Sequence, residues 1–340
     1  MRKLQILIPQ YQETDDVVKP LLDSIALQQS IDFNEIGVII CNDGTDTHLS
    51  EDFLNSYPFD IEYHLEPHKG VSGTRQACFE HSDAEYVMFC DADDMFYNMC
   101  GLWILFREIN DNGGFDSLVS AFTEETRMPA KFNSDGTPDE SAGKVKAYIN
   151  RDMDSTFVHG KVHRSQYLRD KNIKWNEKLT IHEDSYFNIL CQNLSENVKY
   201  CQTPFYLWKW RDESVCRHDD KYILKTYNNM LDSNSALIDE FLRRGMEDKA
   251  KFYCVMMIFD AYYTMNKPEW INQENVEYRN QVEVHFSKYF KKHQSLWNNT
   301  SAMDKMQISN GVRTRSINEG MMMEAITIDD WLKKIKKKSK

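Results

Sequence analysis

Short apolar runs alternate with amphipathic segments over the first 122 residues of the chain. The runs rich in isoleucine, valine and leucine predict buried strands at 4–9, 36–41, 61–65, 85–90 and 116–122. Apolar residues spaced three and four positions apart predict intervening helices at 15–29, 47–56, 71–82 and 98–110. This alternation is typical of an α/β protein with a mostly parallel sheet and flanking helices, in which ligands bind at the carboxyl ends of the strands.

The pattern changes in the second half of the chain. A polar, turn-rich stretch at 131–144 predicts a surface loop, and a helix at 183–194 is followed by strand-like sequence at 198–210. From 220 to 292 the apolar spacing becomes helical and predicts a separate helical region. The polar segment 297–320 predicts a linker. We therefore expect two domains, one at 1–218 and a helical accessory region at 219–340.

The last segment, "TIDDWLKKIKKKSK", combines an apolar helical face with six lysines in its final eight residues. The face carries Ile328, Trp331, Leu332 and Ile335. An amphipathic helix with a basic face suits an anionic membrane surface, so one hypothesis is peripheral contact with the inner face of the membrane. The alternative is a solvated basic end, because a terminal lysine run is usually only a soluble tail.

Composition and charge narrow the class of protein. The chain has 340 residues, 41% of them hydrophobic and 12% aromatic, which is enough to bury a substantial core. Its formal net charge of -12 argues against a nucleic-acid-binding surface, which needs clustered Lys and Arg. The eight cysteines are scattered without zinc-site spacing, and no apolar run is long enough for a signal peptide or membrane span. We therefore expect a cytoplasmic protein with reduced thiols.

One short stretch, "YVMFCDADD", passes from a buried strand directly into three carboxylates, Asp91, Asp93 and Asp94. A calcium loop beginning at Asp91 is excluded, because its sixth residue is Phe96 where glycine is needed and its twelfth is Leu102 where glutamate is needed. Adjacent like charges favour a bound cation. A hard divalent ion that shares substrate phosphates with one or two carboxylates fits this pattern.

The other predicted strands also end in polar clusters: "PQYQE" (9–13), "CNDGTD" (41–46) and "HKGVSGTRQA" (68–77). Together with "FVHGKVHRSQYL", "HEDSYF" and "WRDESV", and in this order, the motifs resemble those of the family 2 glycosyltransferases over roughly residues 1 to 218. The resemblance implies the GT-A fold, a Rossmann-like sheet with flanking helices, here followed by a C-terminal helical region. It also implies inverting transfer of a hexosyl group from a nucleotide-diphospho-sugar.

The resemblance also implies roles for individual residues. It places the following residues around the nucleotide-sugar: Pro9, Gln10, Tyr11, Glu13, Asp43, Arg75, Asp91, Ala92, Asp93, Arg211 and Ser214. Of these, Asp43 corresponds to the residue that reads the base, commonly through a uracil N–H, which a carboxylate accepts as a charge-assisted bond. Arg75 would contact the base or the diphosphate. Gln12 and Gln76 stand where many relatives have asparagine, so the exact nucleotide stays open.

The metal and the base follow from the same resemblance. Asp93 corresponds to the ligand of a divalent cation, Mn²⁺ or Mg²⁺, with Asp91 beside it and His218 as a candidate to complete the metal shell. Asp94 would serve the acceptor side. Inversion needs a base that takes a proton from the acceptor hydroxyl. Asp184 is the first candidate and Glu183 the second, while Lys161 and His163 lie in the segment that shapes the acceptor floor in the family.

The resemblance therefore implies a metal-dependent inverting glycosyltransferase that moves a sugar from a UDP-sugar to a hydroxyl of a glycan or lipid-linked glycan, as in polysaccharide biosynthesis. One alternative is a sugar-phosphate nucleotidyltransferase, because "GVSGTRQA" resembles its glycine-rich loop, although that loop should follow the first strand. Another is a non-catalytic scaffold that binds sugar nucleotides. The donor sugar, the acceptor, the linkage, the metal and a homo-oligomeric state stay open.

Overall fold

The structure is a computed structural model that describes residues 2–125, 146–148, 156–209, 221–316 and 327–337. The chain divides into two compact units, Met1–Asp212 and Glu213–Lys340. The whole predicted loop at 131–144 lies outside the described residues, as do the candidates Arg211, Ser214 and His218.

The first unit is built on a nine-stranded mixed sheet. Its strands are β1 (Leu4–Gln10), β2 (Ile36–Asp43), β3 (Asp60–Glu66), β4 (Tyr86–Phe89), β5 (Met95–Phe96), β6 (Ser117–Glu124), β7 (Lys146–Tyr148), β8 (Lys161–Arg164) and β9 (Val198–Trp208). The order is β3-β2-β1-β4-β8-β6-β9-β5, with β7 paired to β6. The first four strands are parallel to one another, and β8 is antiparallel to both of its neighbours. The predicted α/β class with a mostly parallel sheet is confirmed.

Helices cover this sheet, and all of them except α5 lie within or overlap the predicted segments. They are α1 (Asp15–Ala26), α2 (Glu51–Leu54), α3 (Gly70–His81), α4 (Gly101–Asn110), α5 (Ser165–Asp170) and α6 (Glu183–Leu194). Helix α1 buries Val18, Leu21, Leu22 and Ile25 in the core that contains β1 and β2. The predicted helix at 47–56 is confirmed only for α2, because the backbone before Ser50 forms a loop whose Thr47 carbonyl accepts side-chain bonds from Gln10 and Asn42.

The strand register brings the site to one edge of the sheet. Gln10 at the end of β1 pairs with Asn42 of β2, and Leu7 of β1 pairs with Phe89 at the end of β4. Because these strands are parallel, the residues that follow them emerge at the same edge. The carboxylates after β4 therefore lie at the same edge of the sheet as the motif after β2.

The second unit is helical. Its helices are α7 (Tyr222–Arg243), α8 (Glu247–Met265), α9 (Pro268–Ile271), α10 (Val276–Asn299), α11 (Ala302–Ser316) and α12 (Ile328–Lys336). The predicted linker at 297–320 is wrong, because α11 occupies most of it and packs on α8. A capping interaction starts this helix: Ser301 Oγ accepts from Asp304 N at 3.1 Å and donates to Asp304 Oδ2 at 2.7 Å.

Helix α12 packs the apolar face of the tail inside the helical unit, and peripheral membrane contact through its lysines stays a prediction. Trp331, Leu332 and Ile335 are buried. The Trp331 ring lies 5.6 Å from that of Tyr262 on α8 and 5.1 Å from that of Phe286 on α10. The apolar face therefore completes the interior of the helical unit. Among the described residues, no helix combines the length and the apolar composition needed to cross a bilayer.

Candidate active site

Arg75 connects the elements of the site. Helix α3 carries its guanidinium into the interior, where Nη2 donates to Asp91 Oδ1 and Nη1 donates to Glu183 Oε1, both at 2.7 Å. The guanidinium also lies 4.9 Å from the centre of the Trp175 ring. Burial lowers the pKa of Arg75, but the two carboxylates outweigh it and raise that pKa, so the side chain is charged. One arginine thus joins motifs that lie 16 and 108 residues away in the sequence.

A buried acid and histidine cluster lies beside this arginine. Within the described residues, Asp91, Asp94 and His159 offer ligand atoms that all lie within 4.8 Å of one another. His159 Nε2 is 3.9 Å from Asp91 Oδ2 and 3.8 Å from Asp94 Oδ2. Asp94 and His159 are buried and Asp91 is partly exposed. Asp93, the metal ligand predicted from the sequence, is half-buried next to the cluster and is not part of this group.

Charge repulsion in this cluster favours a cation. Burial raises the pKa of Asp94 well above its usual value, and the neighbouring charges of Asp91 and Asp93 raise it further. Burial also acts to raise the pKa of Asp91, but the Arg75 guanidinium and His159 hold it below its usual value. Asp94 accepts bonds from the Tyr206 hydroxyl at 2.5 Å and from Lys209 N at 2.9 Å, which fix its orientation.

The donor set fits a divalent metal ion. Burial lowers the pKa of His159, so its imidazole is neutral, which is the form that binds metals. His159 Nδ1 is buried and has no hydrogen-bond partner among the described residues, while Nε2 faces the two carboxylates. Two carboxylates and one imidazole with an open side suit Mn²⁺, and carboxylates with water suit Mg²⁺. These three residues could hold the ion together with the phosphates of a ligand.

The predicted base-reading residue lies in a turn that needs glycine. Asp43 is buried at the end of β2, and its Oδ1 accepts from Lys69 N at 2.7 Å. Its Oδ2 lies 3.0 Å from His68 Nδ1. Gly44 has a φ of +68°, and a Cβ there would lie 2.5 Å from His68 N. Glycine therefore allows the loop after β3 to approach Asp43.

An exposed aromatic pair lies next to this carboxylate. The rings of Tyr11 and His68 are 5.3 Å apart, and both side chains are exposed. The Tyr11 backbone N–H donates to Glu13 Oε2 at 2.8 Å. Gln10 is buried and donates to Glu13 O and Thr47 O, so it braces two loops against each other. Pro9 and Gln10 thus shape the loop that presents Tyr11, and direct contact of these residues with a nucleotide stays a prediction.

Helix α6 begins with the predicted base. His182 precedes it in the left-handed conformation, with a φ of 62°, which is strained for a residue other than glycine. Asp184 Oδ1 accepts from Ser185 N at 2.7 Å. Burial raises the pKa of Asp184 to about 7 and the Glu183 charge adds to this, while Arg75 and Lys161 act in the opposite direction. This carboxyl can therefore gain and lose a proton near neutral pH, as a general base must.

The segment predicted to shape the acceptor floor forms β8. Lys161 and His163 are both buried. Burial lowers the pKa of Lys161 to about 7 although Asp184 attracts its charge, and Lys161 Nζ donates to the Phe157 carbonyl. His163 Nδ1 lies 2.9 Å from Ser117 Oγ, and burial lowers the pKa of His163 to about 3, so it is a neutral interior residue. Lys161 therefore lies near the candidate base, and His163 joins β6 to β8.

Sequence reasoning missed several residues of the site. His159 lies inside the quoted motif "FVHGKVHRSQYL", but its place beside Asp91 depends on the antiparallel pairing of β8 with β4. Tyr206, which holds Asp94, and Trp175, which stacks on Arg75, lie in segments that look like ordinary core sequence. In the sequence, the only feature that could have distinguished His159 is its position directly before Gly160.

The comparisons with known proteins agree with this geometry. Residues 5–128 match the sequence profile described as glycosyl transferase family 2. No curated protein matches the chain significantly by sequence. Among solved structures, S. aureus TarS residues 1–349 in complex with UDP matches with a TM-score of 0.64 at 13% identity, covering 98% of this chain and 90% of that one. TarS 1–349 in complex with UDP-GlcNAc matches with a TM-score of 0.59 at 15% identity, covering 96% and 100%. At these identities the structural matches show the fold, and the predicted GT-A fold is confirmed.

Proposed function

We propose that the chain, whose residues 5–128 match the profile of glycosyl transferase family 2, transfers a sugar from a UDP-sugar to an acceptor hydroxyl with inversion at the anomeric carbon. The observation that carries this proposal is the network in which Arg75 joins Asp91 of the acidic cluster to Glu183, next to the candidate base. TarS, which shares the fold, has been crystallised with UDP and with UDP-GlcNAc, and this supports a uridine donor. A glycan or lipid-linked glycan remains the proposed class of acceptor.

The donor would lie across the carboxyl ends of the parallel strands. In this proposal Asp43 accepts an imide N–H of the base, and Tyr11 and His68 lie beside that carboxylate. Asp91, Asp94 and His159 would hold a divalent cation, and Asp93 is a further candidate ligand of the same ion. When bound, such a cation neutralises charge on the diphosphate leaving group. Arg75 keeps Asp91 ionised and oriented.

The acceptor oxygen would attack the anomeric carbon while the bond from that carbon to the diphosphate oxygen breaks. Asp184 takes the proton of the acceptor hydroxyl, and a single displacement of this kind inverts the configuration. Glu183 is bonded to Arg75, which leaves Asp184 as the acid better suited to accept the proton. Lys161 is buried near Asp184 and favours its ionised form.

The pH dependence of turnover tests this assignment. Asp184 has a pKa of about 7, so it is mainly protonated below that value and cannot accept a proton. We expect kcat/KM to rise about tenfold per pH unit on the acid side and to level off above about pH 8. Initial rates of UDP release measured with acceptor between about pH 5.5 and 9 give the profile. A flat profile across that interval contradicts the assignment, and the residual activity of Asp184→Asn, which lacks the ionisable group, is the matched control.

A nucleotide-sugar screen tests the proposed function itself. A ligand that binds the folded state raises the melting temperature in proportion to its occupancy. With Mn²⁺ present, we expect UDP and at least one UDP-sugar to raise it, and the corresponding GDP- and ADP-sugars to raise it less. UDP release from the bound donor then separates a transferase from a scaffold, and pyrophosphate exchange identifies a nucleotidyltransferase. The proposal fails if no uridine ligand stabilises the protein with Mn²⁺.

A further inference from the structure

An exposed aromatic side chain lies beside the acidic cluster. Phe157 is 42% exposed although it belongs to the folded part of the first unit. Its ring stacks on that of His159, with centroids 5.5 Å apart and an angle of 9° between the planes. The Trp208 ring lies 6.0 Å from it on another side. Since His159 Nε2 lies 3.8 Å from Asp94, the phenyl ring stands one aromatic layer away from the proposed cation site.

The backbone of Phe157 is held unusually firmly for a residue with an exposed ring. Asn188 Nδ2 donates to Phe157 O at 3.0 Å and to Thr156 O at 2.9 Å. Lys161 Nζ donates to the same Phe157 carbonyl. Asn188 and Lys161 are both buried, so these donors are fixed by the interior of the unit. The ring is therefore presented to solvent by a rigid frame.

That frame also carries the candidate base. Asn188 follows Asp184 by four residues on α6, so the two side chains lie on the same face of the helix, one turn apart. The side chain that pins Phe157 is thus a neighbour of the carboxyl that would take the acceptor proton. Phe157 consequently lies beside the proposed cation site and near the proposed base. An acceptor whose hydroxyl lies within reach of Asp184 and of the donor would occupy this region.

We propose that Phe157 is the platform on which a pyranose ring of the acceptor stacks. This inference rests on the proposed glycosyltransferase function. An aromatic face carries partial negative charge and attracts the polarised C–H groups on the apolar face of a pyranose. A pyranose ring therefore suits this surface.

Saturation-transfer NMR on the full chain tests the platform directly. The probes are methyl α- and β-pyranosides of glucose, galactose, mannose and N-acetylglucosamine, with ribitol and glycerol 3-phosphate for comparison, all in the presence of UDP and Mg²⁺. We expect saturation of the ring C–H protons of at least one pyranoside. Phe157→Ala should weaken that binding by roughly tenfold, as the loss of one aromatic contact would. Phe157→Tyr should preserve it.

Two controls separate the possible failures. Trp103→Ala removes another exposed aromatic, 41% exposed on α4, and should leave pyranoside binding unchanged. Calorimetry of UDP with each variant reports the donor site separately from the platform. The platform is refuted if Phe157→Ala keeps full pyranoside binding, or if the wild-type protein binds UDP and no pyranoside. If the wild-type protein does not bind UDP, the proposed function fails, and pyranoside binding that depends on Phe157 still supports a sugar site here.

Discussion

Asp184→Asn is expected to lower turnover by roughly 10²- to 10⁴-fold, which is the usual contribution of a general base. Asparagine has nearly the same shape as aspartate and cannot take the acceptor proton. Its amide can still accept from Ser185 N, so the start of α6 should keep its structure. UDP affinity and metal affinity should stay close to those of the wild-type protein, because Asp184 is not part of the acidic cluster. Initial rates and calorimetry measure the two properties separately.

Glu177→Gln is the matched control for this substitution. Glu177 is an exposed acid a few residues before α6, and its replacement removes one negative charge from the same region. Its turnover should equal that of the wild-type protein. The base assignment is wrong if Asp184→Asn turns over as fast as Glu177→Gln. A variant that loses UDP binding together with turnover would instead place Asp184 in the donor site.

Removal of divalent metal is expected to abolish turnover, and Mn²⁺ should restore it. Without a cation, the diphosphate of the donor would meet three carboxylates, Asp91, Asp93 and Asp94, which repel it. Chelation followed by titration with Mn²⁺, with UDP release as the readout, gives the dependence. Turnover that persists in the chelated protein would refute the metal dependence. Among the described residues, Arg75 would then be the main positive group beside the acidic cluster.

Two substitutions then identify the ligands of the ion. Asp93→Ala should lose metal-dependent donor binding if the ligand implied by the family resemblance is right. His159→Phe fits the same aromatic surroundings and should lower Mn²⁺ affinity by about tenfold or more if the cluster with Asp91 and Asp94 binds the ion. His48→Phe replaces an exposed histidine as a control. Wild-type Mn²⁺ affinity in His159→Phe, measured by calorimetry with UDP, would exclude His159 as a ligand.

The elements that the sequence predicts well are those whose pattern is local. The first four strands and α1 are confirmed because an apolar run or a helical stripe reflects burial against one sheet. Helix α11 was missed because its surface is mostly polar and it is stabilised by packing on α8 and by the Ser301 cap. Tertiary packing of this kind overrides the local pattern. The tail helix α12 was recognised as amphipathic, but its partner could not be read from the sequence.

The candidate site was predictable to the same extent: its individual residues could be read from local sequence, and their mutual contacts could not. The motifs indicated Asp43, Asp91, Arg75 and Asp184 one by one, because each residue belongs to a short motif that can be read locally. Their mutual geometry depends on contacts across long stretches of chain, such as the bond from Arg75 to Glu183, 108 residues away. His159 reaches the cluster only through the pairing of β8 with β4. Such pairings leave no local pattern in the sequence. The sequence could therefore identify candidate acids but could not show which of them would form one cation site.

Helix α12 has a practical consequence for shortened forms of the protein. Trp331 packs against the rings of Tyr262 and Phe286. Truncation before Thr327 would therefore expose apolar surface on the helical unit and favour aggregation. Poor recovery of such a truncated chain would therefore say nothing about lipids. Lys333 and Lys334 can be neutralised instead, because both are exposed and neither belongs to the buried apolar face of α12.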